Sequence, residues 1–245
     1  MTSKKIIFLD EIESTNNYAK QLLLTKAAEE GTVVLAQYQK KGKGQQGNTW
    51  ESRAGQNLLL SLILFPDFLN ASKQFYLSKI TSLALIDLLK PEIDDVTIKW
   101  PNDIYFKDKK LSGMLIENAI NGQNIASSII GVGLNLNQET FDSDAPNPVS
   151  LKQITGNSYN IESVADLFIK RMNFWFRKLK EENFTDIDTA YFNLLYRSNQ
   201  WATYSKQGKQ FEAKISGIGE FGQLILTDRN SKQSEYMFKE IEFVI

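Results

Sequence analysis

Three lysines, three glycines and a run of amide side chains fall together in Gln39-Lys40-Lys41-Gly42-Lys43-Gly44-Gln45-Gln46-Gly47-Asn48-Thr49-Trp50-Glu51-Ser52. Glycine lets a backbone take positive φ and come close to a ligand. Lysine supplies positive charge, and Gln45, Gln46 and Asn48 supply hydrogen-bonding groups. With exposed backbone N–H groups they could cradle a phosphate or a carboxylate. The plainer alternative is a mobile, solvated loop. Trp50 argues against that, because a large aromatic needs something to pack on. The spacing fits neither a Walker A loop nor a Rossmann fingerprint.

A second cationic position comes from a hairpin. Leu111 to Ile120 and Ile125 to Leu136 read as strands flanking Asn121-Gly122-Gln123-Asn124, a strong hairpin signal. Along the second strand Ile130, Val132, Leu134 and Leu136 alternate with Gly131, Gly133 and Asn135, so one face is core and the other nearly bare. Glycines alternating on one face suggest close approach by a ligand or another backbone. A two-residue and a four-residue loop give pairings of the same parity, and both put Lys110 and Ser112 on the glycine face. A lysine beside such a floor is placed to hold an anion. Otherwise Lys109 and Lys110 are solubilising charges at a strand end.

The elements that must carry these residues follow from the pattern. Ile6 to Leu9 reads as a short strand. Glu13-Ser14-Thr15-Asn16-Asn17 offers capping side chains ahead of Tyr18, Ala19, Leu22 and Leu23 at helical spacing. Ser14 and Thr15 are either plain N-caps or part of a helix start whose N–H groups suit an acceptor oxygen. Gly31 is expected to close the helix. Thr32 to Tyr38 and Asn57 to Phe65 read as strands, and the roughly 18 residues between them exceed the usual connection. Ser72 to Lys90 reads as an amphipathic helix stopped by Pro91. Asp95 to Lys99 is a strand running into Trp100-Pro101-Asn102-Asp103, an extended residue and then a turn. Phe141 to Val149 reads as a loop. Helices are expected over Ile161 to Lys180 and Ile187 to Tyr196, with Phe168, Met172, Trp175, Phe176 and Leu179 as a core stripe. Short strands then follow at Trp201–Ser205, Gln210–Ile218, Gly222–Asp228, Ser234–Phe238 and Ile241–Ile245, predicting a small barrel-like appendage.

Composition narrows the chemistry. The 245 residues include no histidine and no cysteine. That excludes a thiol nucleophile, a Ser-His-Asp triad, a disulfide and a Cys/His zinc site. A net charge of −1 gives no whole-protein pull toward nucleic acid or anionic membranes. No apolar run reaches membrane-spanning length, and Met1 to Lys5 lacks a signal-peptide core. A cytoplasmic location is therefore expected.

Three blocks, taken together, resemble the biotin–protein ligase family. They are Gly42-Lys43-Gly44-Gln45-Gln46-Gly47-Asn48-Thr49-Trp50; then Lys99-Trp100-Pro101-Asn102-Asp103 with Lys110-Leu111-Ser112-Gly113 and Glu117; and Gly131-Val132-Gly133-Leu134-Asn135-Leu136-Asn137. The opening Glu13-Ser14-Thr15-Asn16 fits as well. The resemblance spans essentially the whole chain. It implies an α/β (α+β) fold: a mixed sheet flanked by helices, of the class II aminoacyl-tRNA-synthetase/biotin ligase kind, over residues 1–196, and a small SH3-like β-barrel over 197–245. It is to the short form, with no room before Ile6 for a DNA-binding winged helix.

The implied activity has two steps. ATP adenylates the biotin carboxylate, and an acceptor lysine then attacks biotinyl-5′-AMP. Implied biotin-binding residues are Ser14, Thr15, Asn16, Gln39, Gly42, Lys43, Gly44, Gln45, Lys110 and Gly113. Implied nucleotide-binding residues are Gln45, Asn48, Trp50, Asn102, Lys110 and Asn135. Lys110, Asp103 and Lys43 would act at the reacting centre, with Asp103 near the Mg²⁺ that accompanies ATP or near the incoming amine. The implied partner is a biotin carboxyl carrier domain, with no nucleic acid or membrane, and a homodimer is left open. A lipoate–protein ligase is the nearest alternative. Where the family loop is commonly arginine-rich, this chain has Lys43, Gln45, Gln46 and Asn48. A lysine cannot reproduce a bidentate guanidinium contact, so a looser hold on the adenylate is expected.

Overall fold

The structure, a computed structural model, describes residues 5–142 and 147–244. The expected loop over Phe141 to Val149 and the strand ending at Ile245 lie partly outside the described residues, as does the side chain of Gln46. The first elements are β1 (Ile6–Ile12), α1 (Thr15–Leu24), β2 (Val33–Gln39), β3 (Asn57–Leu64) and α2 (Phe75–Leu89). Next come β4 (Val96–Lys99), β5 (Asp103–Phe106), β6 (Lys109–Asn121) and β7 (Asn124–Asn135). Helices α3 (Leu151–Thr155), α4 (Ile161–Lys180) and α5 (Phe184–Asn193) lead to β8 (Ala202–Lys206), β9 (Lys209–Ile218), β10 (Leu224–Asp228), β11 (Gln233–Tyr236) and β12 (Glu242–Phe243).

Seven strands form one mixed sheet in the order β1-β2-β3-β7-β6-β5-β4, in which β1 and β2 are parallel and the other pairs antiparallel. The remaining five form an antiparallel sheet, β11-β10-β9-β8-β12. This is the helix-flanked mixed sheet with a small SH3-like β domain that the resemblance implied.

Strand β3 explains where a site can be. All of its residues are buried, so both of its faces are covered. Leu58, Leu60, Leu62 and Leu64 pack with Leu77 and Ile80 of α2 and Phe168 and Met172 of α4. On the opposite face Ile63 joins Val34, Ile129 and Ala19 of α1. Next along that face, at Ser61, the apolar cover gives way to the polar first turn of α1, because Thr15 and Asn16 reach it by hydrogen bonds.

Several expectations are corrected. Helix α1 stops at Leu24, so Gly31 does not close it; with φ +81° it sits in the turn before β2. The expected turn is present but ends at Asn102, and Asp103 begins strand β5, which was not anticipated. The short helix α3, held by a Ser150–Gln153 capping box, was not anticipated. Helix α5 begins earlier, at Phe184, and ends at Asn193.

The hairpin register is the most instructive difference. A bulge between Ala119 and Ile120 shifts the β6–β7 pairing, so Ser112 lies opposite buried Leu134, and Gly113 opposite Gly133. Directly opposed residues share a face, so Ser112 is on the core side, not the glycine side. It is fully buried and donates to the Gly133 carbonyl at 2.7 Å. A second slip, between Ile104 and Tyr105 in the β5–β6 pairing, leaves Leu111 unpaired and sets Lys110 opposite Tyr105. That returns Lys110 to the glycine face. The expectation for Lys110 holds because two bulges compensate, and the one for Ser112 fails because only one lies before it.

Candidate active site

The glycine-rich connection is a tight hairpin rather than an open loop. Trp50 N–H donates to the Gly42 carbonyl at 2.9 Å, Gly44 N–H donates to the Asn48 carbonyl at 2.7 Å, and Lys43 bridges Thr49. A single 3-10 turn, Gln45–Gly47, closes the tip. Gly42 is required by this close pairing, since a Cβ there would lie 2.5 Å from the Trp50 carbonyl oxygen. Of the three lysines only Lys43 serves the cavity. Lys40 and Lys41 pair with Glu11 at 2.5 Å and Glu13 at 2.8 Å.

The hairpin lays Trp50 over the bare floor. A Cβ on Gly133 would meet Trp50 Cε2 at 2.4 Å, and one on Gly113 would meet Trp50 Cζ3 at 3.0 Å and Asp103 Oδ1 at 3.3 Å. Lys110 Nζ is 2.8 Å from Asp103 Oδ1 and 5.7 Å from the Trp50 ring centroid, with both charged side chains largely shielded from solvent. The ammonium at position 110 therefore lies beside the hairpin, on the glycine floor, and not in bulk solvent.

Farther along the floor is a neutral polar pocket. Ser14 holds the N-cap position of α1 but makes no side-chain cap bond, and it is buried. The plain N-cap reading of its hydroxyl therefore fails. Thr15 N–H, expected to be free at the helix start, donates to Gln39 Oε1 at 2.7 Å. Asn16 is fixed at both ends of its amide: Oδ1 accepts from Ser61 Oγ at 2.6 Å, and Nδ2 donates to Glu117 Oε2 at 2.8 Å. Gly131 lies directly beneath it, where a Cβ would be 2.3 Å from Asn16 Oδ1.

These residues face one cavity of about 530 Å³. Among the expected site residues Ser14, Thr15, Asn16, Gln39, Lys43, Gly44, Gln45, Asn48, Trp50, Asn102, Asp103, Lys110 and Gly113 all line it. Asn102 also donates to the Met114 carbonyl at 2.7 Å. Gly42 is buried in its backbone pairing with Trp50 and is not on the cavity wall. Asn135 is not brought to the cavity wall; it is buried and donates to the Val149 carbonyl at 3.1 Å.

Other participants were missed. Ser61 had a signal, as the single polar residue within the apolar run Leu58 to Leu64. Asn17 accepts from Lys43 Nζ at 2.8 Å. Lys99 lines the cavity and donates to Tyr105 Oη at 3.0 Å. Burial pulls the Lys99 pKa down, the Lys110 and Arg197 charges add to this, and Asp103 opposes it. The segment from Phe238 to Phe243 closes one wall, although local sequence carried no hint that the β domain reaches this far. Trp100 Nε1 ties the two sheets together by donating to the Gly222 carbonyl at 2.8 Å.

Asp103 does not fit the role of a resident metal ligand. Its nearest partner is an ammonium, and among the described residues no group of three or more His, Cys, Asp or Glu side chains is placed to hold a metal. What the cavity offers is a neutral hydrogen-bonding end, a cationic end and a flat aromatic wall between them. Such a site suits a molecule with a polar head, an apolar middle and an anionic tail.

Comparison with known proteins agrees with this geometry. The model of the Biotin/lipoate A/B protein ligase family matches residues 8–135. The bifunctional ligase/repressor BirA of Bacillus subtilis is 29% identical over 227 residues, 90% of this chain and 69% of its own length. A biotin–[acetyl-CoA-carboxylase] ligase of Paracoccus denitrificans is 28% identical over 232 residues, 92% of this chain and 95% of its own. Among solved structures, the biotin protein ligase of Aquifex aeolicus in complex with biotin and ATP superposes with a TM-score of 0.81 at 26% identity, covering 98% of this chain and 99% of that one.

Proposed function

We propose a reaction from one premise: this chain belongs to the biotin/lipoate A/B protein ligase family. It is an ATP-dependent biotin–protein ligase. It joins biotin to ATP as biotinyl-5′-AMP, releasing pyrophosphate, and passes the biotinyl group to a lysine ε-amine of a biotin carboxyl carrier domain. The observation that carries this reading is the Lys110–Asp103 pair on a glycine floor that runs to the fixed Asn16 amide.

The biotin head group is assigned to Ser14, Thr15, Asn16 and Gln39, whose neutral donors and acceptors suit a ureido group. Its carboxylate then points toward Lys43, Gly44, Gln45 and Lys110. In the first step a carboxylate oxygen attacks the α-phosphorus of ATP and pyrophosphate leaves. The barrier comes from two anions meeting, so fixed cations and N–H donors lower it by electrostatic preorganisation. No protein nucleophile is needed, which suits a chain without histidine or cysteine. In the second step the neutral acceptor amine attacks the acyl carbon, AMP leaves with the bonding electrons, and the nitrogen gives up one proton to solvent as the amide forms. The mixed anhydride supplies the driving force, and placing the amine is the main task.

Trp50, Asn48 and Asn102 are assigned to the nucleotide. Asn135 is kept as a nucleotide residue acting from behind the wall. Mg²⁺ is assigned to the triphosphate that brings it rather than to Asp103. Residues 1–196 form the catalytic unit and 197–245 the β domain, in a cytoplasmic setting with no nucleic-acid substrate. Dimerisation is compatible with the reading and not required by it.

The test is covalent labelling. Labelled biotin, MgATP and a carrier domain are incubated with the protein, with lipoate in place of biotin as the competing arm. Label on the carrier that depends on biotin and ATP supports the reading, whereas transfer of lipoate alone makes the protein a lipoate ligase.

A further inference from the structure

Four ammonium groups, Lys43, Lys99, Lys110 and Lys239, and two carboxylates, Asp103 and Glu242, line the cavity. Lys110 has Asp103 at 2.8 Å, and Lys43 has the neutral Asn17 amide at 2.8 Å. Lys99 stands apart from both. Among the described residues it has no carboxylate at ion-pair distance, although Asp103 lies directly across from it in the β4–β5 pairing. Its Nζ donates to Tyr105 Oη at 3.0 Å and lies 4.6 Å from the Tyr105 ring centroid and 5.4 Å from that of Phe243. Phe243 belongs to β12, so the slot that holds this lysine is made half by the main sheet and half by the β domain.

A shielded ammonium with aromatic faces and no carboxylate at ion-pair distance is held at a cost in solvation, which the more distant Asp103 charge offsets only in part. The lowered pKa, caused first by burial, expresses that cost. Lys99, Asp103 and Lys110 together leave one positive charge uncancelled on the cavity wall, and an arriving anion would cancel it.

We infer that Lys99 is a second phosphate-contacting cation of this cavity, positioned by Tyr105 and by Phe243 of the β domain. The inference rests on the nucleotide-dependent reading above and adds to it a residue and a task for the β domain. The ligand chemistry it serves is a phosphoryl oxygen of the nucleotide, not the neutral head of the acyl substrate. Lys110, neutralised in advance by Asp103, is then free to orient the carboxylate, while Lys99 supplies net charge to the phosphate.

The test separates charge from packing. Biotin-dependent ATP–pyrophosphate exchange is measured for the wild type, Lys99→Met and Lys99→Arg, with biotin binding in the absence of ATP followed by calorimetry. A lost charge-assisted hydrogen bond predicts that Lys99→Met lowers kcat/KM for ATP roughly 10- to 100-fold. Biotin affinity should stay within about twofold, and Lys99→Arg should recover most of the loss because it keeps the charge. Wild-type kinetics in Lys99→Met would overturn the inference. So would equal damage in both variants, or a parallel loss of biotin binding, each of which marks a packing role. Absence of exchange in the wild type would instead overturn the reading on which the inference rests, and the inference with it.

Discussion

Gly131→Ala tests how the head-group end is built. The added methyl would lie 2.3 Å from Asn16 Oδ1, 3.0 Å from its Cγ and 3.1 Å from its Nδ2, so one side must give by about 1 Å to reach ordinary contact. The β7 backbone is paired on both sides, to β3 and β6, and does not yield readily. Asn16 must then leave Ser61 Oγ at 2.6 Å and Glu117 Oε2 at 2.8 Å. A neutral hydrogen bond is worth roughly 1 kcal/mol and one to a charged group roughly 1.5–3 kcal/mol, while overpacking without retreat costs about 1–3 kcal/mol. Losing both bonds amounts to about 2.5–4 kcal/mol and overpacking in place to about 1–3 kcal/mol, so the two routes bracket roughly 5- to 900-fold in biotin affinity if the head group binds there. Calorimetric titration of biotin without nucleotide measures it, with urea unfolding run in parallel. Gly133→Ala is the matched control, because its methyl meets Trp50 Cε2 at 2.4 Å and does not touch Asn16. It should spare biotin binding and impair the ATP-dependent step. Biotin binding by Gly131→Ala within about twofold of wild type, or equal losses in both variants, refutes the assignment.

Lys110→Ala should lower the adenylation rate by about 100-fold or more with a native circular-dichroism spectrum; unimpaired pyrophosphate exchange would remove Lys110 from the chemistry. Lys43 holds one neutral partner, Asn17, through a single donor, so biotinyl-AMP should dissociate faster here than from an arginine-rich relative, and Lys43→Arg should slow its release. A rapid-filtration off-rate equal to or slower than the relative's rejects this. Burial raises the Glu30 carboxyl pKa, against the Phe65 N–H that it accepts. A carboxyl raised in the folded state binds its proton more tightly there than when unfolded, so its contribution is present below the unfolded value of 4.5 and is lost as pH rises through the folded one. Glu30→Gln should therefore be at least as stable as wild type at pH 7, with no such advantage near pH 4; urea midpoints at the two values decide it.

Much of the site was legible because local chemistry and local geometry coincide there. The Ser14-Thr15-Asn16 helix start, the glycine hairpin and the alternation of Gly131 and Gly133 each announce themselves over a few residues. Ser112 was misplaced because strand parity counts residues and cannot see a bulge; its neighbour Lys110 was placed correctly only because a second bulge cancelled the first. Lys40 and Lys41 looked like cavity cations, yet their partners Glu11 and Glu13 lie about 28 residues earlier, one on and one just past a strand that was expected to end sooner. Phe238 to Phe243 were illegible for a related reason, since nothing local says which surface of a small β domain meets a turn some 140 residues away. Contacts set by docking leave no periodic trace.

The indole of Trp100 makes that docking matter. Its N–H is spent on the Gly222 carbonyl, and Gly222 in turn sits against the Phe75 ring with no room for a side chain. The tail is thus latched to the very residues that precede Asn102 and Asp103. Swapping in a tail from a relative, or appending a fusion partner that tugs on it, would reach the reaction centre mechanically, so anyone engineering this protein should attach cargo elsewhere.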